Sequence, residues 1–157
     1  VRHLGQFRSR KIEFQTDSHA MMAWASPQEM KQVVLNLLTN ALESLDPKRN
    51  DGVVKIDIHQ TNEQIVFSIE DNGSGMTDEV LTHLFEPFFT RRRDGRGTGL
   101  GLPITSRIIA DHGGHISAKS LGIGIGSRFE VVIPSQPPEQ AKNENHPPYL
   151  SELHNAA

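Results

Sequence analysis

The clearest pattern in the chain is an apolar stripe that follows a helix-start signal at residue 26. Ser26, Pro27 and Glu29 supply an N-cap serine, a proline at the first helical position and a glutamate three residues after the cap. The apolar residues behind them recur at helical spacing: Met30, Val33, Val34, Leu37, Leu38, Ala41, Leu42 and Leu45. The pattern predicts an amphipathic helix that ends before Asp46 and Pro47.

Alternating apolar and polar positions predict the strands, at residues 11–15, 22–25, 53–59, 64–70, 116–120 and 127–133. The residues expected to point inward from the middle two strands are Ile56, Ile58, Ile65, Phe67 and Ile69. Two further helices are expected at 78–85 and 100–112, the second stopped by Gly113 and Gly114, with an irregular stretch at 86–98 between them. Because helices and strands alternate without regular βαβ units, the pattern favours an α/β two-layer sandwich with a mixed sheet.

Composition divides the chain into three parts. Residues 11–134 are densely patterned and predict one domain. Residues 135–157 contain four prolines and little apolar periodicity, so we expect a disordered tail, with a short docking helix as the alternative. Residues 1–10 are expected to be the end of a preceding helix or a linker, and the start at Val1 suggests a fragment of a longer protein.

Composition and charge also exclude several kinds of site. The chain has no cysteine, which excludes a disulfide scaffold, a thiolate metal site and a cysteine nucleophile. The formal net charge of −3 gives no basic field that would favour nucleic acid or a membrane surface. No apolar run approaches the roughly 18 residues of a membrane span, so we expect a cytoplasmic segment without membrane contact.

Two asparagines on the first predicted helix are candidates for metal binding. Asn36 and Asn40 lie four residues apart, so their side chains project from the same helix face. A carboxamide oxygen is a hard ligand that suits Mg²⁺, an ion usually shared with substrate phosphates. The alternative is that both are buried asparagines that cap nearby backbone groups.

A second candidate motif, D-N-G-S-G-M at residues 71–76, directly follows a predicted strand. Asp71 at the strand end can present its carboxylate to a pocket while the two glycines turn the backbone sharply. A carboxylate only accepts hydrogen bonds, so it suits an amino group such as that of adenine. The alternative is an ordinary Asn-Gly turn.

The run G-R-G-T-G-L-G-L at residues 95–102 opens a predicted helix, an arrangement that presents backbone N–H groups to phosphate. It matches neither a Walker loop nor a dinucleotide fingerprint. Just before it lie F-E-P-F-F-T at residues 85–90 and arginines at positions 91, 92, 93 and 96. Guanidinium groups match phosphate oxygens, although a solvated charge run is the alternative.

Taken in order, these motifs resemble one known domain. The series N-x-x-x-N-A (36–41), D-N-G-x-G-M (71–76), F-E-P-F-F-T (85–90), G-x-G-T-G-L-G-L (95–102) and H-G-G-x-I (112–116) is similar to the conserved boxes of bacterial sensor histidine kinase ATP-binding domains. These domains belong to the gyrase–Hsp90–kinase–MutL superfamily, and the nitrogen-regulation type looks nearest. The resemblance covers about residues 11–134 and implies a Bergerat-type fold, with about five strands in a mixed sheet and three helices on one face.

The resemblance implies roles at the phosphate end of an ATP site. Asn40 would be the Mg²⁺ ligand and Asn36 its polar partner facing the phosphates. Arg92 stands where the family often has lysine, and with the two asparagines it completes the implied catalytic set.

The resemblance also implies contacts to the rest of ATP. Asp71 would bind the adenine amino group, and Gly73 and Gly75 would leave room for the purine. Phe88 and Phe89 would anchor a mobile lid. The further residues implied to contact ATP, with glycines 97, 99 and 101 lining the triphosphate, are Met76, Thr90, Gly97, Thr98, Gly99, Leu100, Gly101 and Leu102.

The implied reaction is transfer of the γ-phosphoryl group to a histidine on a separate dimerisation domain, for relay to a response regulator. True ATPases of the superfamily carry a glutamate where this chain has Asn36, and an amide is not a general base. None of the eight histidines fits the acceptor motif, and His112 is expected only to suit its helix dipole. The alternatives are a serine kinase of the anti-sigma-factor type, a non-catalytic ATP-binding regulatory module, and an ATP-driven clamp of the gyrase or MutL kind.

Overall fold

A computed structural model describes residues 10–16, 23–61, 63–90 and 98–136. In chain order the elements are β1 (Lys11–Thr16), α1 (Pro27–Ser44), β2 (Val53–Gln60), β3 (Gln64–Asp71), α2 (Asp78–His83), α3 (Gly101–Asp111), β4 (His115–Ser120) and β5 (Ser127–Pro134). Most predicted bounds agree with these within one or two residues, which is the usual uncertainty of a helix or strand end.

The strands form one mixed sheet in the order β1-β2-β3-β5-β4. β1 pairs with β2 in parallel, because α1 crosses over between them and returns the chain to the same end of the sheet. The other three pairings are antiparallel, with short connections between β2 and β3 and between β4 and β5. The predicted mixed sheet of about five strands is confirmed.

One face of the sheet carries the apolar core. The register places Ile56, Ile69 and Phe129 side by side, and the same cluster includes Leu37 of α1 and Ile109 of α3. All five predicted inward residues belong to this cluster, as fully or partly buried members. The opposite face is polar and carries charged side chains, including Lys55, Glu70 and Arg128 in adjacent positions. The two-layer sandwich is therefore confirmed, with the helices on the apolar face.

The strand predicted at 22–25 is wrong for its described residues, 23–25, which form a bend that leads into α1. Ala25 is buried and Ser26 begins the helix cap, so these residues serve the start of α1 and pair with no strand. Two helix ends also differ, because α2 stops at His83 and α3 starts at Gly101.

Parts of the predicted domain organisation concern residues outside the described ranges, namely 1–9, 17–22 and 137–157. Within the described part of the chain, none of the helices combines the length and apolar character that crossing a bilayer requires.

Candidate functional site

A cleft of about 380 Å³ opens between α1, the turn after β3 and the first turn of α3. The predicted site residues that line it are Asn40, Gly75, Met76, Phe89, Thr90, Thr98, Gly99, Gly101 and Leu102. The described site residues that lie near its wall without lining it are Asn36, Asp71, Gly73, Phe88 and Leu100. Arg92 and Gly97 lie outside the described residues. The fold thus brings motifs from distant parts of the sequence to one cleft.

The buried carboxylate of Asp71 lies directly behind the cleft wall and is only 5% exposed. Its Oδ1 accepts hydrogen bonds from Ser44 Oγ at 2.6 Å and from the Gly73 N–H at 2.8 Å. Its Oδ2 accepts one from Ser127 Oγ at 2.6 Å. A carboxylate offers about four acceptor positions, so one position at Oδ2 remains for a further donor. Both serines line the cleft, and Asp71 lies directly behind them.

Ser44 and Ser127 are cleft residues bonded to Asp71 that the sequence reasoning missed. Ser44 lies four residues after Asn40 on the same helix face, a spacing from which it could have been found. Ser127 stands opposite Asp71 in the register of β3 and β5, and no local pattern marks that pairing. Together the two hydroxyls fix the orientation of the carboxylate.

The two glycines of the turn after β3 serve close backbone packing. A Cβ atom at Gly73 would lie 2.5 Å from the Ser44 carbonyl oxygen, and one at Gly75 would lie 2.0 Å from the Gly122 carbonyl oxygen. Gly75 also has φ of +62°, a conformation that side chains disfavour. The space that a Cβ would fill at each glycine is therefore occupied by protein backbone, and room for a purine beside them stays a prediction.

The two asparagines of α1 have different surroundings. Asn36 Nδ2 donates to the Gly101 carbonyl and to Thr105 Oγ1, both at 3.2 Å, and its Oδ1 accepts from Gln32 at 2.9 Å. Asn36 thus caps a backbone carbonyl, as in the alternative interpretation of the pair. Asn40 lines the cleft, and its amide makes no hydrogen bond within the described part of the chain.

The amide oxygen of Asn40 suits a Mg²⁺ ion shared with substrate. Mg²⁺ is usually held by one or two protein ligands together with phosphates and water. Among the described residues no group of three His, Cys, Asp or Glu side chains could hold a metal by itself. A cleft-facing amide oxygen that no described residue binds therefore fits a metal that arrives with phosphate.

The two adjacent phenylalanines before the glycine run, Phe88 and Phe89, lie in different environments. Phe89 lines the cleft and lies 5.8 Å from the His83 ring, whereas Phe88 is 75% exposed. Phe88 has φ of +68°, and its N–H donates to the Gly99 carbonyl at 3.0 Å. A Cβ at Gly99 would lie 2.5 Å from the Phe88 carbonyl carbon. Phe88 and Gly99 thus join the two ends of the segment that contains residues 91–97.

The start of α3 lines the cleft and contacts α1 at Asn36, one turn before Asn40. Leu100 provides no side-chain cap, and Thr98 Oγ1 accepts from the Leu100 N–H at 3.3 Å. In the described part of the chain, the N–H groups of Gly101 and Leu102 have no backbone acceptor. A helix N-terminus with open N–H groups favours an anion.

Comparison with known proteins agrees with this geometry. Residues 25–137 match the model of the family described as histidine kinase-, DNA gyrase B-, and HSP90-like ATPase. A putative sensor protein of Shewanella frigidimarina is 36% identical over 137 residues, which cover 82% of this chain and 20% of that protein. Sporulation kinase C of Bacillus subtilis is 41% identical over 106 residues, which cover 68% of this chain and 23% of that protein. The chain thus spans about a fifth of the length of these relatives.

Among solved structures, the nucleotide-free catalytic domain of histidine kinase ThkA is similar throughout. It is 31% identical with a TM-score of 0.73, and the match covers 87% of this chain and 89% of that domain. The shared fold, the cleft and the family match lead to one assignment. This chain belongs to the family of histidine kinase-, DNA gyrase B- and HSP90-like ATPases.

Proposed function

We propose that this chain is the catalytic domain of a two-component sensor histidine kinase. It binds Mg-ATP in the cleft and transfers the γ-phosphoryl group to a histidine on a separate dimerisation domain, for relay to a response regulator in the cytoplasm. The observation that carries the proposal is the order of the polar groups along the cleft wall. Ser44, which binds Asp71, lies one turn of α1 after Asn40, and Asn36, which binds the start of α3, lies one turn before it.

The base end of the cleft suits adenine. The remaining acceptor position of Asp71 takes an N–H donor, which the adenine amino group supplies and the corresponding carbonyl of guanine lacks. Ser44 and Ser127 hold the carboxylate in one orientation, so ligand binding costs little free energy to order it. Apolar Met76 and Leu102 line the same cleft and can contact the flat faces of a base. Support also comes from full-length ShkA, a structure in complex with AMPPNP that is 25% identical with a TM-score of 0.68.

The phosphate end suits Mg-bound triphosphate. Asn40 would hold Mg²⁺, which neutralises charge on the transferring phosphoryl group when it is bound. The N–H groups of Gly101 and Leu102 would donate to phosphate oxygens, and Arg92 would add positive charge from the segment outside the described residues. Phosphoryl transfer needs positioning and charge neutralisation more than covalent chemistry by the protein.

The amide at position 36 favours phosphoryl transfer over hydrolysis. Asn36 occupies the position of the superfamily's glutamate, and its amide is held by Gly101, Thr105 and Gln32. An amide does not take a proton from water. None of the eight histidines fits the acceptor motif, so the proposal places the acceptor on another domain of the parent protein, with residues 11–134 as the nucleotide-binding unit.

The base assignment is tested by measuring ATP and GTP binding with Mg²⁺ by calorimetry. We expect the chain to prefer ATP, and Asp71→Asn to weaken ATP binding by about tenfold or more, since a bound group loses its charged acceptor. The matched control is Asp57→Asn, which removes a carboxylate on the polar face of the sheet. Circular dichroism checks that each variant is folded. Unchanged ATP affinity in folded Asp71→Asn would refute the adenine assignment.

The kinase assignment is tested with radiolabelled ATP and the parent protein's dimerisation domain, added as a separate chain. We expect label on that domain, and none when its acceptor histidine is replaced by glutamine. We also expect little steady-state phosphate release by the chain alone. Rapid turnover by the isolated chain, or a labelled serine on the partner, would contradict the proposal.

A further inference from the structure

His112 lies at the end of α3 and joins it to the start of α1, 86 residues away in sequence. Its side chain is 10% exposed. The backbone N–H of Ser26, the N-cap of α1, donates to His112 Nε2 at 3.0 Å. His112 Nδ1 lies 2.8 Å from the Ile108 carbonyl oxygen. The imidazole therefore connects the backbones of two helices.

These two backbone partners determine which ring nitrogen of His112 donates a hydrogen bond and which accepts one. A carbonyl oxygen only accepts, so Nδ1 carries the proton that it donates to Ile108. An N–H group only donates, so Nε2 is the unprotonated nitrogen that accepts from Ser26. Both ring nitrogens of His112 are thus in use.

His112 also takes the place that Glu29 would have in a capping box, where an N-cap serine and a glutamate three residues later bond each other's backbone N–H groups. The Glu29 N–H donates to Ser26 Oγ at 3.4 Å, as that motif requires. The reciprocal bond from the Ser26 N–H goes to His112, while Glu29 Oε2 lies 3.5 Å from His112 Nε2. The hydrogen bond that a capping box would make within α1 is thus made between α1 and α3.

A second polar contact joins the same helices closer to the cleft, where Asn36 donates to Gly101 and Thr105. Ser26 and Asn36 are ten residues apart on α1, and Gly101 and His112 are eleven apart on α3. At 1.5 Å per residue these separations are both about 15 Å, so the two contacts brace antiparallel helices at matched points.

We propose that His112 is a positioning residue for the nucleotide cleft. It fixes the start of α1 to the end of α3, and so holds the two helices that carry Asn40 and Gly101 at a constant spacing. This inference rests on the proposed function, because it assigns His112 an effect on ATP affinity. His112 touches neither the cleft nor the nucleotide and acts through the helices.

The test compares His112→Phe with His112→Gln. Phenylalanine keeps a ring but removes the acceptor, whereas glutamine can offer an amide oxygen to the Ser26 N–H. We expect His112→Phe to weaken Mg-AMPPNP binding about three- to tenfold, the size of effect seen for residues that couple to a site without touching it. We expect His112→Gln to recover part of that loss.

The matched control for lost stability is Ile109→Val, a fully buried change on the same helix. It lowers the unfolding midpoint without removing the polar contact, so its affinity should remain that of the unmodified chain. A purely structural role would give His112→Phe and Ile109→Val equal affinities once both are folded, and that result would overturn the proposal.

A second measurement does not need nucleotide. An N–H···N hydrogen bond transmits a ¹⁵N–¹⁵N coupling, so we expect one between Ser26 N and His112 Nε2 in the unmodified chain. Its absence would overturn the proposal even if His112→Phe does not fold. If the coupling is present but the unmodified chain does not bind Mg-AMPPNP, the proposed function is wrong. The predicted effect of His112 on nucleotide affinity would then be wrong as well.

Discussion

Asn36 and Asn40 lie one turn apart on α1, yet their amides have different surroundings. Asn36 is held by three hydrogen bonds within the protein, two of them to the start of α3. Asn40 faces the cleft without a protein partner in the described part of the chain. We infer that Asn36 stabilises the fold and that Asn40 serves the ligand.

This difference predicts opposite effects of two alanine substitutions. Asn36→Ala should lower the free energy of unfolding by about 1–2 kcal/mol, because Gly101 and Thr105 lose a donor. Asn40→Ala should change it by less than about 0.5 kcal/mol but weaken Mg-ATP binding at least about tenfold. Urea denaturation and calorimetry measure the two quantities. A large stability loss in Asn40→Ala would show that its amide has a structural partner.

Glycine substitutions make a second prediction at the residue scale. Gly73→Ala should destabilise the fold by about 3 kcal/mol or more, because its Cβ would meet the backbone of Ser44. Gly101→Ala should leave stability unchanged or raise it by up to about 1 kcal/mol, since alanine favours a helix and the nearest atom is Asn36 Cγ at 3.9 Å. Urea denaturation of both variants checks this. Equal stability losses would mean that the turn after β3 can shift away from α1.

At the scale of elements, β1 is the more exposed of the two edge strands. Within the described residues it pairs only with β2, and its Ile12 and Phe14 are at least half exposed. β3 lies between β2 and β5, and its Phe67 and Ile69 are buried. β1 therefore has fewer interactions to hold it than any central strand.

We expect hydrogen exchange to separate these strands. Amides of β1 should exchange by local opening at low free energy, whereas those of β3 and β5 should exchange only with global unfolding. NMR measures the exchange rate of each amide in the same sample, so β3 and β5 serve as the internal control for β1. Protection of β1 equal to that of β3 would contradict this ranking.

Most elements could be predicted because their signals are local. The N-cap serine, the proline and the apolar stripe marked α1, and alternating apolar positions marked β2 and β3. The strand predicted at 22–25 failed in its described part because a short apolar run next to a helix cap has no distinctive period. The hydrogen bond from the Ser26 N–H to His112 could not be predicted, since the two residues are far apart in sequence.

At the scale of the whole molecule, the cleft couples ligand binding to stability. Helix α1, helix α3 and strand β5 all contribute residues to its walls, so a bound nucleotide contacts elements from both layers of the sandwich. A ligand that binds only the folded state stabilises it in proportion to its saturation.

We therefore expect Mg-ATP to raise the thermal unfolding midpoint. At a hundred times its Kd the gain is about 2.7 kcal/mol, or roughly 5–10 °C for a domain of this size. Differential scanning calorimetry measures the shift, with Mg-GTP as the control nucleotide and Asp71→Asn as the control protein. An equal shift with GTP would contradict adenine recognition through Asp71.

The sequence by itself determined the order of the motifs, the main helices and strands, the mixed sheet and the family resemblance. These follow from periodicity, capping residues and fixed motif spacings, which are properties of short segments. The tertiary structure alone decided which groups share hydrogen bonds. It gave Asp71 the hydroxyls of Ser44 and Ser127, turned Asn36 toward α3 and joined His112 to Ser26. Such pairings join residues that are distant in sequence, so they exist only after the sheet and helices have packed together.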